Sequence, residues 1–207
     1  MLAAMPRLAS SPASDTATRA LDVAETLVQQ MGFNWFSYAD IAEALGIRKA
    51  SLHHHFPSKA DLGRALLVRY RDRFDVELKR IHALPIDAHG KLLRYVGLYE
   101  AVLRGDRLCL CGMLAAEYAS LPEPMQEEIR SFFDLNRKWL ASVIREGRRS
   151  LLFHTRDTPE SASFTLLGAL EGAMLVARPY GDVARFAESA AQVLESLKTR
   201  PGSKGSR

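Results

Sequence analysis

At 207 residues, 47% of them apolar, the chain is long enough for one large domain or two small ones with a substantial buried core. A charged content of 25% is ordinary for a water-soluble chain, and no apolar run reaches the ~18 residues of a membrane-spanning helix. The net charge of +4 is local. Lys198, Arg200, Lys204 and Arg207 are four of the 28 basic residues, so the rest of the chain sets 24 basic against 24 acidic residues.

Met1 to Ala13 holds one arginine and several small residues, a poor leader peptide that reads as a disordered lead-in over 1–13. A helix is expected from about Ser14 to Met31, with Ala20, Val23, Ala24, Leu27 and Val28 on one face. Two short helices joined at Gly46 follow. Ser37 is a good N-cap with Asp40 three residues on, and Ile41, Ala42 and Leu45 make the apolar stripe. The second helix of the hairpin spans about Lys49 to His55. Between Arg48 and Lys59 stand three cations, three histidines and no acid, with Leu52 and Phe56 as inward anchors. Helix, glycine turn, helix is the pattern whose second helix can lie in a DNA major groove. An ordinary solvated helical hairpin is the plain alternative.

Ser58 then caps a long helix to about Ala83, with Leu62, Leu66, Tyr70, Phe74 and Leu78 as its stripe. Further helices are expected at about 88–103, 108–119, 124–147, 159–177 and 182–198, the sixth bounded by Leu121-Pro122-Glu123-Pro124 and the eighth opening on Thr158-Pro159. No alternating apolar run reads as a strand, so the expected fold class is all-α with about nine helices. The domains are set at 14–60 for the hairpin unit and 61–198 for a second helical unit, with a basic tail over 199–207.

The residues Gly32-Phe33, Ser37, Ile41-Ala42, Gly46-Ile47, Leu52, Phe56, Ser58-Lys59 and Leu62 stand at spacings that resemble the N-terminal domain of the TetR family of transcriptional regulators. Two positions depart from that pattern. His53 stands where the family has tyrosine, and Arg48 stands where it has a serine or threonine cap. The resemblance implies an N-terminal helix-turn-helix DNA-binding domain and a C-terminal helical domain that binds an effector and forms a homodimer. It implies no catalysis and no cofactor.

Arg48, Lys49 and His54 are the expected base-reading residues, since arginine and lysine suit guanine O6 and N7, and Ala50 is set for a thymine methyl. Ser37, Tyr38, Ser51, His53, His55 and Lys59 are expected to face phosphates. The three histidines do not suggest a metal site, because helical neighbours point about 100° apart and chelation from one helix needs i and i+4.

Cys109 and Cys111 are the only cysteines. They read first as small apolar core residues. Cys109 also lies at the first turn of its expected helix beside Arg107, which would favour a thiolate, and the stretch resembles TetR-like repressors that sense electrophiles or oxidants, with leucine replacing their glycine. Tyr99, Met113, Tyr118, Phe133 and Trp139 are candidates for an apolar effector pocket. Small residues on the last two helices, among them Gly168, Gly172, Ala187 and Ala191, suit a close-packed four-helix dimer seam.

The expected activity is therefore that of a cytoplasmic, homodimeric repressor of double-stranded operator DNA, released by a small-molecule or thiol-reactive effector. An activator of the same fold is the alternative within the class. An enzyme or carrier is the alternative outside it, and no nucleophile-base set, phosphate loop or metal spacing supports that.

Overall fold

The computed structural model describes residues 12–198; residues 1–11 of the expected lead-in over 1–13 and the expected tail over 199–207 lie outside them, whereas Pro12 and Ala13 belong to the first helix. Among the described residues the chain forms nine α-helices: α1 (Pro12–Met31), α2 (Tyr38–Leu45), α3 (Lys49–His55), α4 (Lys59–His82), α5 (Ala88–Arg104), α6 (Leu110–Ala116), α7 (Glu123–Arg149), α8 (Pro159–Ala177) and α9 (Val183–Lys198). Short 3-10 turns follow α6 and α8.

Local chemistry sets most boundaries. Ser37 and Asp40 form a reciprocal capping box at α2, and Ser58 and Asp61 form a second at α4. Asp87 caps α5 through the Gly90 amide, and Thr158 caps α8 ahead of Pro159. Gly46 ends α2 in the left-handed region at φ 65. The Ile47 amide there reaches back to the Ala42 carbonyl at 3.0 Å. Arg48 is the N-cap residue of α3 and makes no side-chain cap bond.

The largest departure is at α6, expected over 108–119 and found over Leu110–Ala116. Cys109, at φ -51 and ψ 127, is still extended and stands as the N-cap, so the helix begins only at Leu110, and the Leu108 amide before it donates to the Gln29 carbonyl of α1 at 3.0 Å. At the other end the chain turns at Glu117, whose carboxylate serves a distant segment instead of the helix.

Helices α4, α5, α7, α8 and α9 pack as one bundle, and α1 lies against α2, α3, α4 and α6. A single hydrophobic core runs through both units. Its centre is aromatic: Phe132 meets Phe74 and Tyr70, and Trp139 stacks on Tyr95 at 5.4 Å.

The hairpin unit is tied to the bundle at the end of α1. Glu117 accepts from the Phe33 amide at 3.0 Å and the Asn34 amide at 3.2 Å. Gly32 permits this contact, with φ at 94 and no side chain where a Cβ would come within 2.1 Å of Glu117 Oε1. Arg178, just after α8, donates to the Gln30 carbonyl at 2.6 Å.

Candidate DNA interface and the cleft behind it

In α3 the anchor Leu52 is fully buried and Phe56 closes the helix from inside. Arg48, Lys49, Ala50, Ser51, His53 and His54 are exposed and His55 is half-buried. The helix therefore presents cationic, hydroxyl and imidazole groups on its outer side with no acid among them.

Three expected phosphate ligands are used by the fold. The Tyr38 ring is buried, and its hydroxyl shares its one proton between the Phe56 carbonyl at 2.8 Å and the Ser58 carbonyl at 2.6 Å. That hydroxyl pins the end of α3 to the start of α2, and burial pushes its pKa up to about 12. Lys59 also turns inward. Its ammonium donates to the Phe33 carbonyl at 2.6 Å and to the Phe36 carbonyl, and lies over both phenyl rings. Burial lowers its pKa. Ser37 is exposed, but its hydroxyl donates to Asp40 and accepts from the Ala39 amide in the capping box. His53 packs on the Tyr38 ring at 4.7 Å between centroids. Among the described residues no three His, Cys, Asp or Glu side chains are placed to hold a metal.

The expected effector residues do not gather into one pocket. Tyr99 and Cys109 meet deep in the bundle, whereas Met113, Tyr118, Phe133 and Trp139 lie elsewhere. Phe133 meets Phe132 edge to face, Trp139 donates to the Leu78 carbonyl at 3.0 Å, and Tyr118 accepts from Arg130. Met113 is half-buried against the core.

The expected thiolate at Cys109 is corrected by its surroundings. Cys109 is 3% exposed, and burial together with the Glu171 carboxyl raises its pKa well above the ordinary thiol value. Arg107 offers it no charge compensation, since its guanidinium is directed to Gln29 Oε1 at 3.3 Å. Cys111 is buried too.

Sequence reasoning missed Glu171. Its carboxyl sits among Tyr99, Cys109 and Gly112, accepts from the Tyr99 hydroxyl at 3.1 Å, and is raised by burial to about 7. Tyr99 continues the chain of polar groups to Tyr95, which donates to Asn136 at 2.8 Å.

A cleft of about 410 Å³ opens between α1, α4 and α5. Glu25 and Gln29 come from α1, Tyr70, Arg73 and Phe74 from α4, Leu98 and Val102 from α5, and Arg107 from the loop before α6. A narrow continuation shares Tyr70, Phe74, Leu98 and Val102 with it and ends on Tyr99, Cys109 and Met174.

On α8, Gly168 and Gly172 face outward, and a Cβ added at either would touch nothing within the chain. The same helix leaves Phe164, Leu175 and Val176 exposed, at 71%, 61% and 66%. On α9, Ala191 is exposed and Ala187 half-buried.

The described residues contain no helix long and apolar enough to cross a membrane. The family profile described as "Bacterial regulatory proteins, tetR family" matches residues 20–66, and one described as "Tetracyclin repressor-like, C-terminal domain" matches 91–193. A TetR-family regulator from Agrobacterium tumefaciens is 33% identical and superposes with a TM-score of 0.87, over 90% of this chain and 100% of that one. One from Legionella pneumophila is 30% identical with a TM-score of 0.82, over 93% and 100%. The transcriptional repressor KstR2 of Rhodococcus jostii is 35% identical over 98 residues, which is 44% of this chain and only 48% of that repressor. With a helix-turn-helix at one end, a helical bundle at the other and full-length structural relatives at these identities, the chain belongs to the TetR family of bacterial DNA-binding transcriptional regulators.

Proposed function

We propose that this regulator is a homodimeric repressor that acts in the cytoplasm and is released from a palindromic operator by a small-molecule effector. The outer side of α3 supports the DNA half of this reading. It offers Arg48, Lys49 and His54 to bases, with Ala50 as an apolar contact, and Ser51, His53 and His55 to phosphates. Tyr38 and Lys59 support the hairpin from within.

The exposed apolar face of α8 supports the dimer. One short recognition helix reads few base pairs, and a two-fold dimer places two of them in successive major grooves. The burial of Cys109 favours a reversible ligand over thiol modification.

The test is a fluorescence-anisotropy titration on the DNA flanking the protein's own gene, backed by genome-wide selection of bound fragments. Specific, salt-sensitive binding is expected. Lys49→Glu combined with His54→Glu should weaken it by at least about a hundredfold, by loss of base contacts and repulsion of phosphates. Unchanged binding by the double variant would overturn the assignment of α3 as the reading helix.

A further inference from the structure

We propose that the cleft between α1, α4 and α5 binds an amphipathic monoanion, an apolar chain ending in a carboxylate, with Arg107 and Arg73 at its head and the aromatic floor around its tail. The chemistry of the site stands on the cleft itself; its regulatory consequence rests on the repressor reading above.

The volume of about 410 Å³ suits a small ligand. The walls of the cleft are apolar where Phe74, Leu98 and Val102 line it, and the gap behind them toward Met174, of about 10 Å³, leaves the chain to lie in the cleft itself. That is a place for a hydrocarbon chain.

The charge pattern at the mouth selects the head group. Glu25 is buried and receives Arg73 through two bonds, at 2.9 and 3.2 Å, and Arg69 at 3.0 Å. Arg69 also meets Asp22 at 2.8 Å. These two acids and two bases balance. Glu77, the other acid on the rim, is matched by Arg80 at 3.2 Å. Arg107 is left over. Among the described residues its polar side-chain partner is the neutral Gln29, over a long 3.3 Å bond, and no carboxylate lies within ion-pair distance. The mouth thus holds one uncompensated cation above an apolar channel. A cation would find both rim acids already occupied, and a neutral ligand would leave Arg107 unmatched.

The site also spans the two functional units. Glu25 and Gln29 belong to α1 of the DNA-binding unit, whereas Arg73 belongs to α4, which runs from that unit into the bundle. A carboxylate reaching Arg73 competes with Glu25 and loosens the α1–α4 clamp. By linkage, the same ligand lowers the affinity for DNA, and DNA lowers the affinity for the ligand.

The experiment uses the full-length protein without DNA. Isothermal titration compares decanoate, decanol and decyltrimethylammonium, each below its micelle concentration. Decanoate should bind about tenfold or more tightly than decanol, and the cation more weakly than either. Arg107→Gln should bring decanoate to the decanol level, and Arg107→Lys should restore much of the difference. Circular dichroism of each variant guards against misfolding. Equal binding of the three probes, preference for the cation, no binding, or an undiminished Arg107→Gln variant would overturn the proposal.

A second titration adds decanoate to the protein on its operator. Protein that binds decanoate in solution and keeps its operator when decanoate is added overturns the regulatory consequence and leaves the site and the DNA reading standing. Protein that binds decanoate in solution and shifts no DNA leaves the site standing and overturns the repressor.

Discussion

A polar side chain in a basic stretch can be turned inward to serve the fold, and Tyr38 and Lys59 illustrate this. Lys59 stands at a motif position and Tyr38 follows one, Ser37, so a sequence reading assigns both to phosphates. In the fold the Tyr38 hydroxyl satisfies two backbone carbonyls and Lys59 satisfies two more. A pattern reports which residues are needed and is silent on the direction they face. Glu171 is the converse case. It lies in a run of small and apolar residues, and nothing nearby in the sequence marks it, because its partners Tyr99 and Cys109 come from α5 and the start of α6. Its titration is predictable. Burial raises the carboxyl from 4.5 to about 7. Between those values the unfolded chain has lost the proton that the folded chain retains, so stability falls as pH rises through this window and levels off above about 7. Thermal melts from pH 5 to pH 8 should show this decline in the native protein and a flatter profile in Glu171→Gln. Parallel profiles would place the titrating group elsewhere.

Helix ends show how far local chemistry can be read in advance. The boxes at Ser37 and Ser58 and the glycine stop at Gly46 are legible because each uses its preferred residue. The end of α7 uses the same backbone arrangement as Gly46 with the wrong residue for it. The Leu152 amide returns to the Gly147 carbonyl at 2.8 Å and the Leu151 amide to Arg148 at 3.1 Å, while Leu151 itself sits at φ 59. A leucine in the left-handed region gives no turn signal in the sequence. It is 75% exposed, so it gains little from burial in return for the strain. Leu151→Gly should therefore stabilise the chain by about 1 kcal/mol in urea unfolding, net of the added freedom of the unfolded state. A loss of stability would mean that the leucine has a partner across the surface. The shortening of α6 was invisible for a related reason: the extended segment before it lies against α1, which is remote in the sequence.

At the scale of the molecule, the helical class, the order of helices and the reading hairpin were all legible, since each follows from periodicity or spacing within one stretch. The cleft was not, because α1, α4, α5 and the loop before α6 each contribute only a few of its residues. The proposed dimer face rests on small residues at helical spacing; the exposed Phe164 of α8, which was not singled out, gives a direct test. Phe164→Glu should shift sedimentation toward the monomer and weaken binding to a palindrome more than to a half-site. An unchanged sedimentation coefficient would move the interface away from this part of α8. The contact at Gly32 has a consequence of another kind. The amides of Phe33 and Asn34 lie in the connection between α1 and α2, where rapid exchange with solvent deuterium is the rule, yet both are held by the Glu117 carboxylate. Deuterium exchange at both should therefore be slow while the hairpin unit stays on the bundle, so two loop protons would time the parting of the two units.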